Sequence, residues 1–262
     1  MHEITREVDD GLCLLGINRP SRRNALTSDM YIELAQALVE AERDEKVRAV
    51  VIHGSESAFC AGNDNADFAS LPSIEGERPS VRFMKAVIAL GKPLLAAVNG
   101  SAVGIGATML LHCDLVFAGS SAKLSFPFSK LGLCPEFASS LLLPAALGHQ
   151  RAAELLMLGD AVGAADARTL GLVNAVLPPQ EVLPHAVAVA RRLCAASAPA
   201  LRSIKSLMRG EPAAAHLRRL EQENLMFAQL LQTPQAKAAF DAFLNPPSPS
   251  TSSRQTHEQR SR

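Results

Sequence analysis

At 262 residues and 48% hydrophobic content, the chain is long enough to bury one large core, or a core with a helical appendage. Its 26 basic and 26 acidic residues cancel, and no dense basic run precedes the tail, so nothing points to a nucleic-acid partner. No stretch approaches ~20 uncharged apolar residues, so no membrane span is expected.

The start M-H-E-I-T-R-E-V lacks an apolar signal segment and the end R-S-R is not a peroxisomal S-K-L, so the expected location is cytoplasmic. Residues 2–8 and 11–18 predict two strands joined at Asp9-Asp10-Gly11, a hairpin signal. Arg19 to Ala25 is a polar loop. Thr27 or Ser28 then caps a helix with Tyr31, Leu34, Ala35, Leu38 and Val39 on one face. Val47 to Gly54 predicts a buried strand, followed by the turn A-F-C-A-G-N-D at Ala58 to Asp64. A loop over Asn65 to Ser80 leads into a helix from about Ser80 to Leu90, and Asp67 on that loop could approach a pocket.

Leu94 to Val98, between Pro93 and the Asn99-Gly100 turn, reads as a buried strand, and Gly104 and Gly106 open an apolar helix to Cys113. Strands follow at Leu115 to Ala118 and near Lys123 to Ser125, then the loop F-P-F-S-K-L-G-L-C-P-E. Helices are predicted around Ala138 to Ala146, Gln150 to Leu158 and Ala164 to Leu170, the last ended by Gly171, with a strand at Leu172 to Val176. Strands alternating with helices argue an α/β core. From Gln180 the pattern is helical, and Asn245 to Arg262 has almost no apolar content and is expected to be disordered. Cys13, Cys60, Cys113, Cys134 and Cys194 form no C-x-x-C pair and read as reduced core thiols, with no metal site.

Candidate chemistry starts from the two glycine-containing turns. A strand that breaks at glycines into a helix leaves first-turn N–H groups without internal partners, which suits an oxyanion. Taken one turn at a time, close strand–helix packing is the first explanation of such glycines. Two turns after two strands could donate to one oxygen from opposite sides. Glu136 lies among Leu131, Leu133, Cys134, Phe137, Ala138 and the Leu141–Leu143 run. Poor solvation there would raise its pKa and suit a general base, or the residue could simply be drawn to the N-terminus of the helix from Ala138. Asp114 reads as a cap or internal hydrogen-bond partner, and His53 and His112 as satisfied core histidines. Ser139 and Ser140 have no adjacent histidine in sequence to suggest a nucleophilic triad.

I-N-R-P at Ile17 to Pro20, R-N-A-L at Arg23 to Leu26, F-C-A-G-N-D at Phe59 to Asp64 and A-A-V-N-G-x-A-V-G at Ala96 to Gly104 together resemble the crotonase, or enoyl-CoA hydratase/isomerase, superfamily. C-D-L-V-F-A at Cys113 to Ala118 and the A-x-x-L-G-L-V-N-x-V segment at Ala167 to Val176 extend the resemblance. It implies an α/β crotonase fold, a spiral of repeated ββα units over 1–195, with a C-terminal helical oligomerisation region at 196–244 and a tail at 245–262. It also implies an acyl-CoA thioester substrate, a homotrimer or hexamer, and no cofactor beyond the coenzyme A carried by that substrate.

By position in these motifs, the resemblance assigns oxyanion donation to the N–H groups of Ala61 and Ile105, and CoA contacts to Arg23, Ala25, Asn63 and Asp64. Arg22 and Arg23 also read as ordinary solvated arginines. The two glutamates that hold water in the family's hydratases are replaced by Thr108 and Phe128. F-S-K-L-G-L-C-P-E-F-A-S-S instead resembles the segment of 3,2-trans-enoyl-CoA isomerases that carries their single catalytic glutamate, here Glu136. The expected activity is therefore 3-enoyl-CoA to 2-enoyl-CoA isomerisation. Hydration of an enoyl-CoA, another crotonase reaction, and acyl-CoA binding without turnover are the alternatives.

Overall fold

The computed structural model describes residues 2–64, 77–209 and 213–244. Most of the predicted loop from Asn65, with Asp67, and the tail from Asn245 lie outside these residues.

The first hairpin joins β1 (Ile4–Asp9) to β2 (Leu12–Ile17), with Asp9 opposite Leu12. Its two-residue loop has φ of 43° at Asp10 and 80° at Gly11, the positive pair that lets a short turn follow the strands' twist. From β2 the sheet continues in parallel through β3 (Ala49–His53), β5 (Leu94–Val98), β7 (Leu115–Gly119) and β10 (Ala175–Leu177). These strands are apolar on both faces because both are covered. Leu12, Val51, Leu95, Ala97 and Phe117 meet Val182, Ala186 and Ala190 of a helix over Val182–Cys194, whereas Leu15, Val50, Ile52, Ala96 and Val116 face the main core. That core takes Leu34 and Leu38 from α1 (Ser28–Arg43) and Phe83 and Val87 from α2 (Pro79–Ala89).

A second sheet holds β4 (Ala58–Cys60), β6 (Ser101–Val103), β8 (Lys123–Ser125) and β9 (Val162–Gly163), in that order. Each of β3, β5 and β7 is followed by a strand of this smaller sheet and then by a helix. This is the repeated ββα plan that the crotonase resemblance implies. α3 (Ile105–Thr108), tightening to a 3-10 turn over Met109–His112, follows β6, and α4 (Ser139–Leu147) follows β8.

Thr27 is the cap of α1, its hydroxyl accepting from the Met30 N–H. Val39, predicted on the buried face, is 39% exposed; Ala37 and Ala41 are buried instead. The strand predicted at Leu172 to Val176 starts three residues later. Gly171 ends the Ala164–Thr169 helix with φ 79°, its N–H donating to Arg168 O at 3.0 Å while Leu172 N–H donates to Ala167 O at 2.8 Å. This paired C-cap uses the amide of Leu172 and sets Leu172 and Val173 in the core ahead of the strand. Beyond Gln180 the chain is helical, and helices over Ala213–Leu231 and Pro234–Leu244 return Leu220, Phe227 and Ala236 to the main core. Among the described residues no helix is long and apolar enough to cross a membrane.

Candidate active site

β4 and β6 are parallel neighbours, so their C-terminal ends lie at one edge of the small sheet. Ala61 follows β4 directly, and Gly104 and Ile105 follow β6. Gly104 turns the chain at φ 55° and ψ −120°, a conformation open to glycine alone, and Gly106 lets α3 close on β4. A Cβ at Gly106 would stand 2.4 Å from the Cys60 carbonyl oxygen. Ile105 is the first residue of α3, and among the described residues nothing accepts from its N–H.

The Ala61 N–H is in a different state. It donates to the Arg23 carbonyl at 3.1 Å, so the second predicted oxyanion donor is already engaged. Arg23 and Asn24 are both left-handed, with φ of 49° and 60°, which brings the loop backbone against the end of β4. Asn24 locks them there: its side chain accepts from Arg19 N–H at 2.8 Å and donates to the carbonyls of Ala58 at 2.7 Å and Phe59 at 3.2 Å. The sequence assigned Asn24 no function. An Asn tolerant of positive φ, just after a Pro-containing loop start, was the available signal.

A cavity of about 730 Å³ opens beside these turns. Arg23, Ala25, Ala61, Asn63, Asp64 and Glu136 all line it, as does Gly104; the Ile105 side chain is buried in the core and does not. Arg22 and Arg23 are exposed at its wall. Two predicted CoA contacts also have structural bonds: Asn63 accepts from the Tyr31 hydroxyl, and Asp64 pairs with Arg19 at 2.6 Å. Glu136 lines a second cavity of about 240 Å³ as well, with Met84, Asn224 and Phe227.

Glu136 is 5% exposed, and no donor reaches its carboxyl among the described residues. Burial first, then the nearby charge of Glu223, pushes its pKa up to about 8. Thr108 and Phe128 are buried, Phe128 in the cavity wall, so neither offers a carboxylate there. Burial pushes the Cys60 thiol up to about 12, which leaves it protonated and a poor nucleophile. His112 fits the core reading. It is buried, driven down to about 3 chiefly by that burial, and hydrogen-bonded through Nε2 to Phe137 O at 2.8 Å. His53 is only half-buried, with Nδ1 near Gly54 O at 3.0 Å, because the next residue already leaves the strand. Asp114 accepts from Leu94 N–H and Lys205 Nζ, the internal partner expected. Ser139 donates to Glu136 O at 2.6 Å and Ser140 to Glu223, so neither hydroxyl is bonded to a histidine. Glu223, 4% exposed on the Ala213–Leu231 helix, was not singled out in the sequence.

A family model described as enoyl-CoA hydratase/isomerase matches residues 7–251. The 1,2-epoxyphenylacetyl-CoA isomerase of Escherichia coli (strain K12) is 36% identical over 202 residues, spanning 74% of this chain and 76% of that protein. The 2,3-dehydroadipyl-CoA hydratase of the same strain is 31% identical over 252 residues, 95% of this chain and 98% of that protein. The structure of Pseudomonas aeruginosa OdaA superposes with a TM-score of 0.90 at 44% identity, covering 94% of this chain and all of that one.

Proposed function

Because the chain belongs to the enoyl-CoA hydratase/isomerase family, whose members act on acyl-CoA thioesters, we propose that it moves the double bond of a 3-enoyl-CoA to the 2-position. One observation carries this reading: among the described residues a single buried carboxyl, Glu136, lines the same cavity as Ala61 and Gly104, and the hydratase carboxylate positions hold Thr108 and Phe128.

The thioester oxygen accepts from the Ile105 N–H and, in exchange for the Arg23 carbonyl, from the Ala61 N–H. A donor fixed before the reaction, as the Ile105 N–H is, lowers such a barrier by about 3–4 kcal/mol, and the Ala61 N–H contributes less because it first gives up the Arg23 carbonyl. Ionised Glu136 takes a proton from C2, and the electron pair spreads over the thioester and the C3–C4 double bond as a dienolate. Glu136, now protonated, returns the proton to C4 as the C2–C3 double bond forms. A carboxyl titrating near 8 is a strong enough base for the first step and a competent acid for the second. Arg22 and Arg23 meet the CoA phosphates, and the acyl tail continues past Glu136 toward the smaller cavity. A second copy of the chain covers the exposed Ile204, Leu207 and Met208, in keeping with a trimer or hexamer.

A second reading, hydration of a 2-enoyl-CoA, is favoured by hydratase names among the relatives. Parallel assays separate the two. With 3-hexenoyl-CoA, conjugated absorbance should grow with wild type and slow by about 10²–10⁴-fold in Glu136→Gln. Equal rates for both proteins, or rapid loss of absorbance from a 2-enoyl-CoA with none gained from the 3-enoyl isomer, would remove the isomerase reading.

A further inference from the structure

One buried carboxylate takes no part in that reaction. Glu223 reaches from the Ala213–Leu231 helix to the start of α4, where its Oε2 accepts from Ala138 N–H at 2.6 Å. Its Oε1 accepts from Ser140 N–H at 3.0 Å and from the Ser140 hydroxyl at 2.5 Å. Arg219, one turn earlier, donates to the same hydroxyl oxygen at 3.3 Å, which leaves the Ser140 proton for Glu223. Every partner of the Glu223 carboxyl donates, so the ionised form is the one this setting holds. Burial works against that form and raises its pKa, while the Ser140 and Ala138 bonds and Arg219 oppose the rise.

These contacts cap a helix whose own N-cap, Ala138, has no side-chain acceptor. They also do more than cap. Phe137 and Ala138, the two residues after Glu136, are non-glycine residues at φ of 59° and 56°. Such positions cost on the order of 1–3 kcal/mol each and persist only where the surroundings fix them. His112 holds the Phe137 carbonyl and stacks on its ring at 4.1 Å, and Ser139 holds the Glu136 carbonyl. Glu223 holds the other side of the turn.

We propose that Glu223 is a positioning residue for Glu136: from the Ala213–Leu231 helix it fastens the left-handed Phe137–Ala138 pair and so fixes where the Glu136 carboxyl meets the cavity. The inference rests on Glu136 acting as the base. The titratable and charged groups around the turn are Cys60 from β4, Cys134 on the same loop, His112 from the 3-10 turn with His216 edge-on to it at 5.8 Å, and Glu223 with Arg219; Glu77 and Arg78 line the smaller cavity with Glu136, and Arg22, Arg23, Asp64 and Lys130 line the larger one. Burial pushes the two thiols up to about 12 and about 11 and His112 down to about 3, so these three stay uncharged near neutral pH. After burial, the Glu223 charge is what raises Glu136, so its loss should make Glu136 more acidic.

The test compares wild type, Glu223→Gln, Ser140→Ala and Glu136→Gln as full-length proteins with 3-hexenoyl-CoA over a pH series. Glu223→Gln should lose roughly 10²-fold in kcat with little change in KM, the scale of a reacting group displaced by about 1 Å. The acid limb of its kcat/KM profile should move to lower pH, and Ser140→Ala should fall between it and wild type. In the unliganded proteins, infrared difference spectra against Glu136→Gln should show the Glu136 carboxyl titrating at lower pH once Glu223 is replaced. An unchanged titration and unchanged kcat in Glu223→Gln, with Glu136→Gln inactive, would overturn the proposal. Should Glu223→Gln fail to fold, a wild-type kcat in Ser140→Ala would overturn it instead. Full activity in Glu136→Gln would sink the isomerase reading, and the infrared titration would still decide the placement of Glu136 by Glu223.

Discussion

Glu136 must be ionised to take the first proton, and burial with the Glu223 charge holds its pKa near 8. The kcat/KM for a 3-enoyl-CoA should therefore rise through that region from the acid side and flatten above it. A profile flat below neutral pH would contradict this. The same shift has a stability consequence of fixed sign. The folded chain binds a proton more tightly than the unfolded one, so between the ordinary carboxyl value of 4.5 and about 8 folding weakens as pH rises. Glu136→Gln removes that dependence and should unfold at higher temperature than wild type above pH 8, with a smaller difference at acid pH; scanning calorimetry would read it. The burial of Glu136 was legible in the sequence because its apolar neighbours surround it along the chain. Glu223 was not, since Ala138 and Ser140 come to it only through the docking of a distant helix. Nor could the sequence give Ala61 its partner, because the left-handed Arg23 depends on Asn24 reaching the Ala58 and Phe59 carbonyls.

β4, β6 and α3 form the unit that sets both proposed donors at one edge. Gly106→Ala should force α3 off β4, since its Cβ would meet Cys60 O at 2.4 Å and Cys60 Cβ at 2.9 Å. A loss of about 1–3 kcal/mol in urea denaturation is expected, with a fall in kcat as Ile105 moves. Wild-type stability and rate would show that the gap closes without displacement. Asn24→Ala takes the side-chain donor from Phe59 O and the acceptor from the Arg19 amide, while Ala58 O keeps its bonds from the Ser55 N–H and hydroxyl, so it should cost about 1–3 kcal/mol and raise KM by loosening the loop that carries Arg22 and Arg23. The glycine turns and long apolar strands could be read from local pattern. β4, β6 and β9, of two or three residues, are too short to show alternation, and the Leu172–Val173 pair is indistinguishable from strand until the Gly171 cap claims the Leu172 amide.

Across the whole molecule, the C-terminal helices serve two surfaces. Inward they supply Leu220, Phe227 and Glu223 to the core and site, while Ile204, Leu207 and Met208 on the Ala198–Arg209 helix face outward, the last two at 79% and 78% exposure. The helical character of this region was plain from residue spacing, but which side it buries depended on Lys205 reaching Lys92 O and Asp114 at 2.6 Å each. If a second copy covers the outward stripe, Leu207→Glu with Met208→Glu should lower the mass seen by light scattering; an unchanged assembly would place the contact elsewhere. The central claim, that one acid carries hydrogen from C2 to C4, is tested most directly by the fate of a label. 3-Hexenoyl-CoA deuterated at C2 and converted in ordinary water should give a 2-enoyl product with deuterium at C4, and this transfer should vanish in Glu136→Gln. Product with no deuterium at C4, formed at the full wild-type rate, would contradict a single shuttling carboxyl.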